Sequence, residues 1–276
     1  MLETVVVDDL NNSALQPGPT SRRWPVLLPV LAVVSAIAVC EWIFVYRDVA
    51  YGIAIALFLA LAIYLVNALL IPDTLLSECL ATLALIPLYI LFTSSLPWFF
   101  IDQQYLIPAV YSVVLILCFF YIYHKQLSFA RIFNFQRERL GWHLLLGLVC
   151  GIPLGVIEYV VLHPAPAFPS FEVSYMLQQL VYMTLFVGLG EELLFRGLIQ
   201  NDLVRLLGDN YGILMAGLLF GIMHLTWRSV PELGFTFLAG LVFGYAYHRT
   251  RSLVLPIVMH GVGNVFLAAV LPYLLR

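Results

Sequence analysis

The chain has 276 residues, of which 62% are hydrophobic and only 11% charged, where a soluble domain carries about 25% charged residues. That balance, with a mean hydropathy of +0.97, excludes an ordinary soluble domain. A net charge of -3 and a pI near 6.0 leave no basic patch for nucleic acid.

In chain order, residues 1–21 read as a disordered cytoplasmic tail that ends in the turn cluster Pro17, Gly18 and Pro19. The tail is acidic and polar, without the basic start and apolar core of a cleavable signal. Residues 22–276 then form a single transmembrane domain, with the catalytic helices in 174–273. At about 20 apolar residues per crossing, spans fall near 24–46, 49–71, 76–97, 105–123, 142–162, 174–203, 211–227, 232–248 and 253–273. The expected fold is all-α, a polytopic bundle of about eight to nine membrane helices.

Loop charges set the orientation. Arg22 and Arg23 precede the first span, Lys125, Arg131, Arg137 and Arg139 follow the fourth, Arg205 the sixth, and Arg249 and Arg251 the eighth. All these clusters fall on one side, so the N-terminus is expected in the cytoplasm, in a bacterial cytoplasmic membrane, and the same charges give a cytoplasmic-side estimate for the site. Residues 126–141 contain an amphipathic stretch suited to the membrane interface. Gly147, Gly151 and Gly155, Gly217 with Gly221, and Gly240 with Gly244 have the spacing of close helix packing. Pro87, Pro153 and Pro256 are expected to kink their spans. The four cysteines, Cys40, Cys79, Cys118 and Cys150, lie in apolar runs without paired spacing and read as small hydrophobes.

Ionisable residues deep in a span are costly and mark function. They are Glu191, Glu192 and Arg196 in one span, His224 in the next, and His260 with Asn264 in the last. Glu41 and Glu78 lie near span ends and read as interfacial, as do His124, His143, His163 and His248. Glu192 and Arg196, four apart, share a helix face and can pair, while Glu191 is turned about 100° away and free to serve as a base. His260 and Asn264 likewise share a face. At about 1.5 Å per residue, Glu191, His224 and Asn264 lie roughly 18–20 Å from the basic ends of their spans, a common layer.

A carboxylate, two imidazoles and a carboxamide in one dry pocket suit amide hydrolysis: Glu191, with His224, takes a proton from water, and His260 and Asn264 donate to the oxyanion. A satisfied structural network among the same residues is the plain alternative. Glu191-Glu192-Leu193-Leu194-Phe195-Arg196-Gly197 resembles the EExxxR motif of the CPBP family, the CAAX-processing prenyl endopeptidases and their Abi-type, bacteriocin-processing relatives. Phe220 to His224 resembles its FxxxH motif and His260 to Asn264 its HxxxN motif, in the family's order. The resemblance implies a glutamate-dependent intramembrane endopeptidase with Glu191, His224, His260 and Asn264 catalytic and Glu192 and Arg196 supporting. It implies no cofactor, and a membrane-embedded or lipidated peptide as substrate. Two other readings stand beside it: a zinc-dependent intramembrane metalloprotease, against which no HExxH occurs, and a membrane transporter or immunity protein, against which no internal repeat occurs.

Overall fold

The computed structural model describes residues 24–70 and 74–275. The tail assigned to 1–21, with Arg22 and Arg23, lies outside the described residues. Among the described residues there is no strand, and nine helices are long and apolar enough to cross a membrane. They are α1 (Trp24–Tyr46), α2 (Val49–Leu70), α3 (Leu75–Ser94), α4 (Leu106–His124), α5 (Leu140–Leu162), α6 (Val173–Leu207), α7 (Asp209–Ile222), α8 (Val230–Thr250) and α9 (Val254–Leu274). The chain is therefore a multi-pass integral membrane protein with an all-α fold.

The span ends follow local chemistry. Thr74 caps α3 and Ser229 caps α8, each side chain accepting the amide three residues on. Pro87 breaks α3 at Ala84, because its ring crowds the carbonyl four residues back and leaves that carbonyl without a donor. The other two expected kinks do not interrupt their helices: α5 runs unbroken through Pro153, and Pro256 falls in the first turn of α9, where a missing N–H costs little. The stretch after α4 forms a short helix, Phe129–Phe133, with Phe129, Phe135 and Trp142 exposed. It is pinned to the α8–α9 turn where Asn134 Nδ2 donates to the Arg251 carbonyl at 2.8 Å and Gln136 Nε2 to that of Thr250 at 3.2 Å.

α3 and α9 are the most buried helices and α5 the least. The glycine stripe of α5 is what admits α9. A Cβ on Gly151 would lie 2.6 Å from the Met259 carbonyl oxygen and 2.9 Å from Val262 Cβ, and one on Gly155 would meet the Gly263 carbonyl. A Cβ on Gly240 of α8 would lie 3.0 Å from the Cα of Gly217 on α7. In a bilayer such backbone proximity replaces the hydrophobic effect as the attraction between helices. Gly151→Leu is accordingly expected to destabilise the protein by about 1–3 kcal/mol or more, read as a lower midpoint of unfolding in detergent. Gly141→Leu, where nothing lies within 4 Å of the added carbon, should leave that midpoint unchanged.

Candidate active site

α6 supplies two chemically different faces. Along one, Glu192, Arg196 and Gln200 recur every four residues and are almost wholly buried. Arg196 Nη1 donates to Glu192 Oε1 at 2.8 Å, Arg196 Nη2 to the Gly240 carbonyl at 3.0 Å, and Gln200 Nε2 to that of Gly244 at 2.9 Å. The α8 glycines bare these carbonyls, so one small-residue face serves helix packing and side-chain anchoring together. The guanidinium is also roofed by rings, its carbon 4.4 Å from the Phe220 centroid and 5.2 Å from that of Phe243.

On the other face Glu191 points into a cavity. Its Oε1 accepts the Tyr111 hydroxyl of α4 at 2.5 Å, while its Oε2 has no hydrogen-bond partner. Wide π-type turns flank it at Tyr182–Gly188 and Leu193–Gln200, a deformation frequent at functional sites.

The histidines are held from behind. His260 Nδ1 lies 2.8 Å from Glu192 Oε1, which directs Nε2 toward Glu191 Oε2 at 3.9 Å. Its ring stacks on Phe243, centroids 5.1 Å apart. His224 follows the end of α7, and its Nδ1 donates to the Phe220 carbonyl at 2.7 Å, one of the carbonyls a helix end leaves without an amide. With Nδ1 as the donor, neutral His224 keeps a lone pair on Nε2. Phe220 thereby joins both histidines to Arg196: it holds His224 by its carbonyl, packs on Phe195 and both histidines by its ring, and covers Arg196.

Glu191, His224, His260 and Asn264 line one cavity of about 220 Å³. Glu191 and His224 also line a second, of about 170 Å³, toward α1 and α3. Glu192 and Arg196 line neither and stand behind His260. The structure thus brings the six sequence candidates together.

Sequence reasoning missed several neighbours. Tyr111 is neutral, and only the register of α4 against α6 reveals it. Glu158, four residues from the end of α5, lines the larger cavity. Glu41, read as interfacial, is 3% exposed and lines the smaller one; helices packed on α1 cover a position that hydropathy alone leaves at a span end. His143 is likewise buried at 2% exposure rather than interfacial, whereas Glu78 is half exposed and paired with Arg205 at 2.8 Å. The cavity's depth can be placed against the basic loops. The larger cavity is walled by Ile107, Glu158, Trp227, Phe235 and Ala268, all in helix halves remote from Lys125, Arg131, Arg139, Arg249 and Arg251. It therefore lies toward the end of the bundle poor in basic residues.

Among the described residues no three of His, Cys, Asp and Glu converge as ligands of one metal ion would. Fold and site together define a polytopic membrane protein with an acid–histidine centre buried among its helices. Residues 173–266 match the family model described as Type II CAAX prenyl endopeptidase Rce1-like, a stretch that contains all three motifs and α6 to most of α9. That match supports the resemblance to the CAAX-processing proteases and indicates a protease; it leaves α1 to α5 outside. No curated protein and no solved structure matches the chain.

Proposed function

We propose that the protein is a glutamate-dependent endopeptidase that cleaves a membrane-embedded or lipidated peptide within the bilayer. The observation that carries this reading is the division of labour between adjacent glutamates: Glu192 Oε1 is committed to Arg196 and His260 behind the site, while Glu191, held by Tyr111 through Oε1, turns Oε2 to the cavity that Glu192 does not line. Glu191 Oε2 takes a proton from water as the water oxygen attacks the peptide carbonyl, and His224 Nε2 accepts a hydrogen bond from the same water. His260 and Asn264 stabilise the resulting oxyanion. Because Nδ1 of His260 is engaged with Glu192, donation from Nε2 requires the doubly protonated ring. Collapse of the intermediate breaks the C–N bond, and the proton on Glu191 passes to the leaving amine.

Tyr111 acts as a positioning residue. It fixes one carboxylate oxygen so that the other addresses the water, and a hydrogen bond to a charged group contributes about 1.5–3 kcal/mol. Tyr111→Phe is expected to lower kcat roughly 10–100-fold with little change in KM, measured in liposomes with a cleaved peptide. Wild-type kcat would remove Tyr111 from this role.

Loop charge supports a cytoplasmic N-terminus, which puts the cavity end of the bundle on the opposite side. The test of the whole reading is cleavage of a membrane-peptide library by purified protein in liposomes, with and without chelator. Cleavage indifferent to chelator and lost in Glu191→Gln supports the glutamate mechanism. Cleavage abolished by chelator and restored by zinc supports the metalloprotease, and no cleavage of any membrane peptide favours a transport or immunity role.

A further inference from the structure

The second cavity is not explained by water activation. It extends from Glu191 and His224 toward α1 and α3, and its far wall carries Glu41, Phe44, Tyr89 and Trp227. Glu41 is 97% covered, being 3% exposed, and its Oε2 has no hydrogen-bond partner. A carboxyl so placed carries negative charge at little cost only when a cation or hydrogen-bond donors meet it.

Among the described residues no cation does so. The two arginines at this end of α1 are turned to other partners: Arg47 lies over the Trp42 ring at 4.9 Å, and Arg228 donates to the Val45 carbonyl at 2.5 Å beside the Tyr46 ring. Neither lines the cavity. What remains is a pocket of about 170 Å³ with two carboxylates, aromatic walls and no positive group. Carboxylate at the end and ring faces along the sides are what a long cationic side chain needs, since the rings pack its methylenes and attract its charge while the carboxylate receives its N–H groups.

We infer that this cavity is a specificity pocket for a lysine or arginine of the substrate next to the scissile bond, with Glu41 as the residue that receives its charge. The inference rests on the endopeptidase reading for the word substrate, but Glu41, Phe44 and Tyr89 lie outside the segment that matches the Rce1-like family. The preference therefore belongs to the N-terminal half of this chain.

The experiment uses the full chain in liposomes and one cleaved library peptide, varied to Lys, Arg, norleucine or Glu at each of the three positions on either side of the cut. At one position Lys or Arg should raise kcat/KM at least about tenfold over norleucine, the size expected of a close buried charge pair. Glu41→Gln should bring that ratio near one and Glu41→Lys should turn it toward Glu, while Glu78→Gln, exposed at the other end of the bundle, retains it. A wild type that cleaves lysine and norleucine peptides equally, or a preference that survives Glu41→Gln, overturns the inference. A second arm measures binding of the dansylated lysine peptide and of its acetyl-lysine counterpart to wild type and Glu41→Gln. Lysine-selective binding that needs Glu41, in a protein that cuts nothing, would overturn the endopeptidase and leave the pocket standing; equal binding of both peptides by wild type overturns the pocket.

Discussion

Glu191→Gln lowers kcat/KM for peptide cleavage by about 10²–10⁴-fold, the range that a positioned general base supplies. The substitution is nearly isosteric, and a glutamine carbonyl still accepts the Tyr111 hydroxyl that now reaches Oε1 at 2.5 Å. Packing against α4 should therefore persist and unfolding in detergent should change little, so the lost rate reports chemistry. His260→Ala should lose a comparable amount for a different reason: it removes the oxyanion donor and also strips Glu192 of the imidazole at 2.8 Å. The pair is separated by solvent chemistry. Added formate restores part of the activity to Glu191→Gly, where space and a missing base coincide, and added imidazole restores part to His260→Ala. A Glu191→Gln protein within tenfold of wild type would falsify the assignment of the base and direct attention to Glu158, the other carboxylate on the wall of the same cavity.

What could be read before the structure depended on how each residue signals itself. Continuous apolar runs give membrane helices to within a few residues, because a span has one dominant requirement, that its length cross the hydrocarbon. Two ends depart further: α7, expected to 227, stops at Ile222, and α6, expected at 174–203, runs to Leu207, since Asn201, Asp202 and Arg205 face Tyr247, Thr82 and Glu78 and so extend the helix past the apolar stretch. The pairing of Glu192 with Arg196 was legible because four-residue spacing is a local rule. The convergence of Glu191, His224 and His260 was legible because buried charge is rare in membranes and its few instances tend to meet. Tyr111, Phe220 as an organiser and the burial of Glu41 were not legible. Each depends on which helix faces which, and an apolar helix records its neighbours mainly in small residues: the α5 glycines announce a close partner without saying that it is α9.

Arg196→Met costs roughly 3–5 kcal/mol of stability, the largest single effect expected in this protein. Arg196 is 1% exposed and Glu192 0% exposed, so removing the guanidinium leaves a carboxylate with His260 Nδ1 as its one remaining partner where no water can reach it, and it also unfastens α6 from the Gly240 carbonyl of α8. A methionine fills the space beneath Phe220 and Phe243, which leaves charge and hydrogen bonding as the terms that change. Replacing both partners, Glu192→Met with Arg196→Met, should recover most of the lost stability, because a buried ion pair exchanged for apolar groups of similar volume is nearly neutral. Activity should not recover with it, since His260 Nδ1 has then lost the acceptor that orients the ring. Unfolding midpoints in detergent and cleavage rates for the two variants therefore move apart. A double variant as unstable as Arg196→Met would show that the helix anchor to Gly240, rather than the stranded charge, dominates, and a double variant with wild-type cleavage would remove Glu192 from the support of His260.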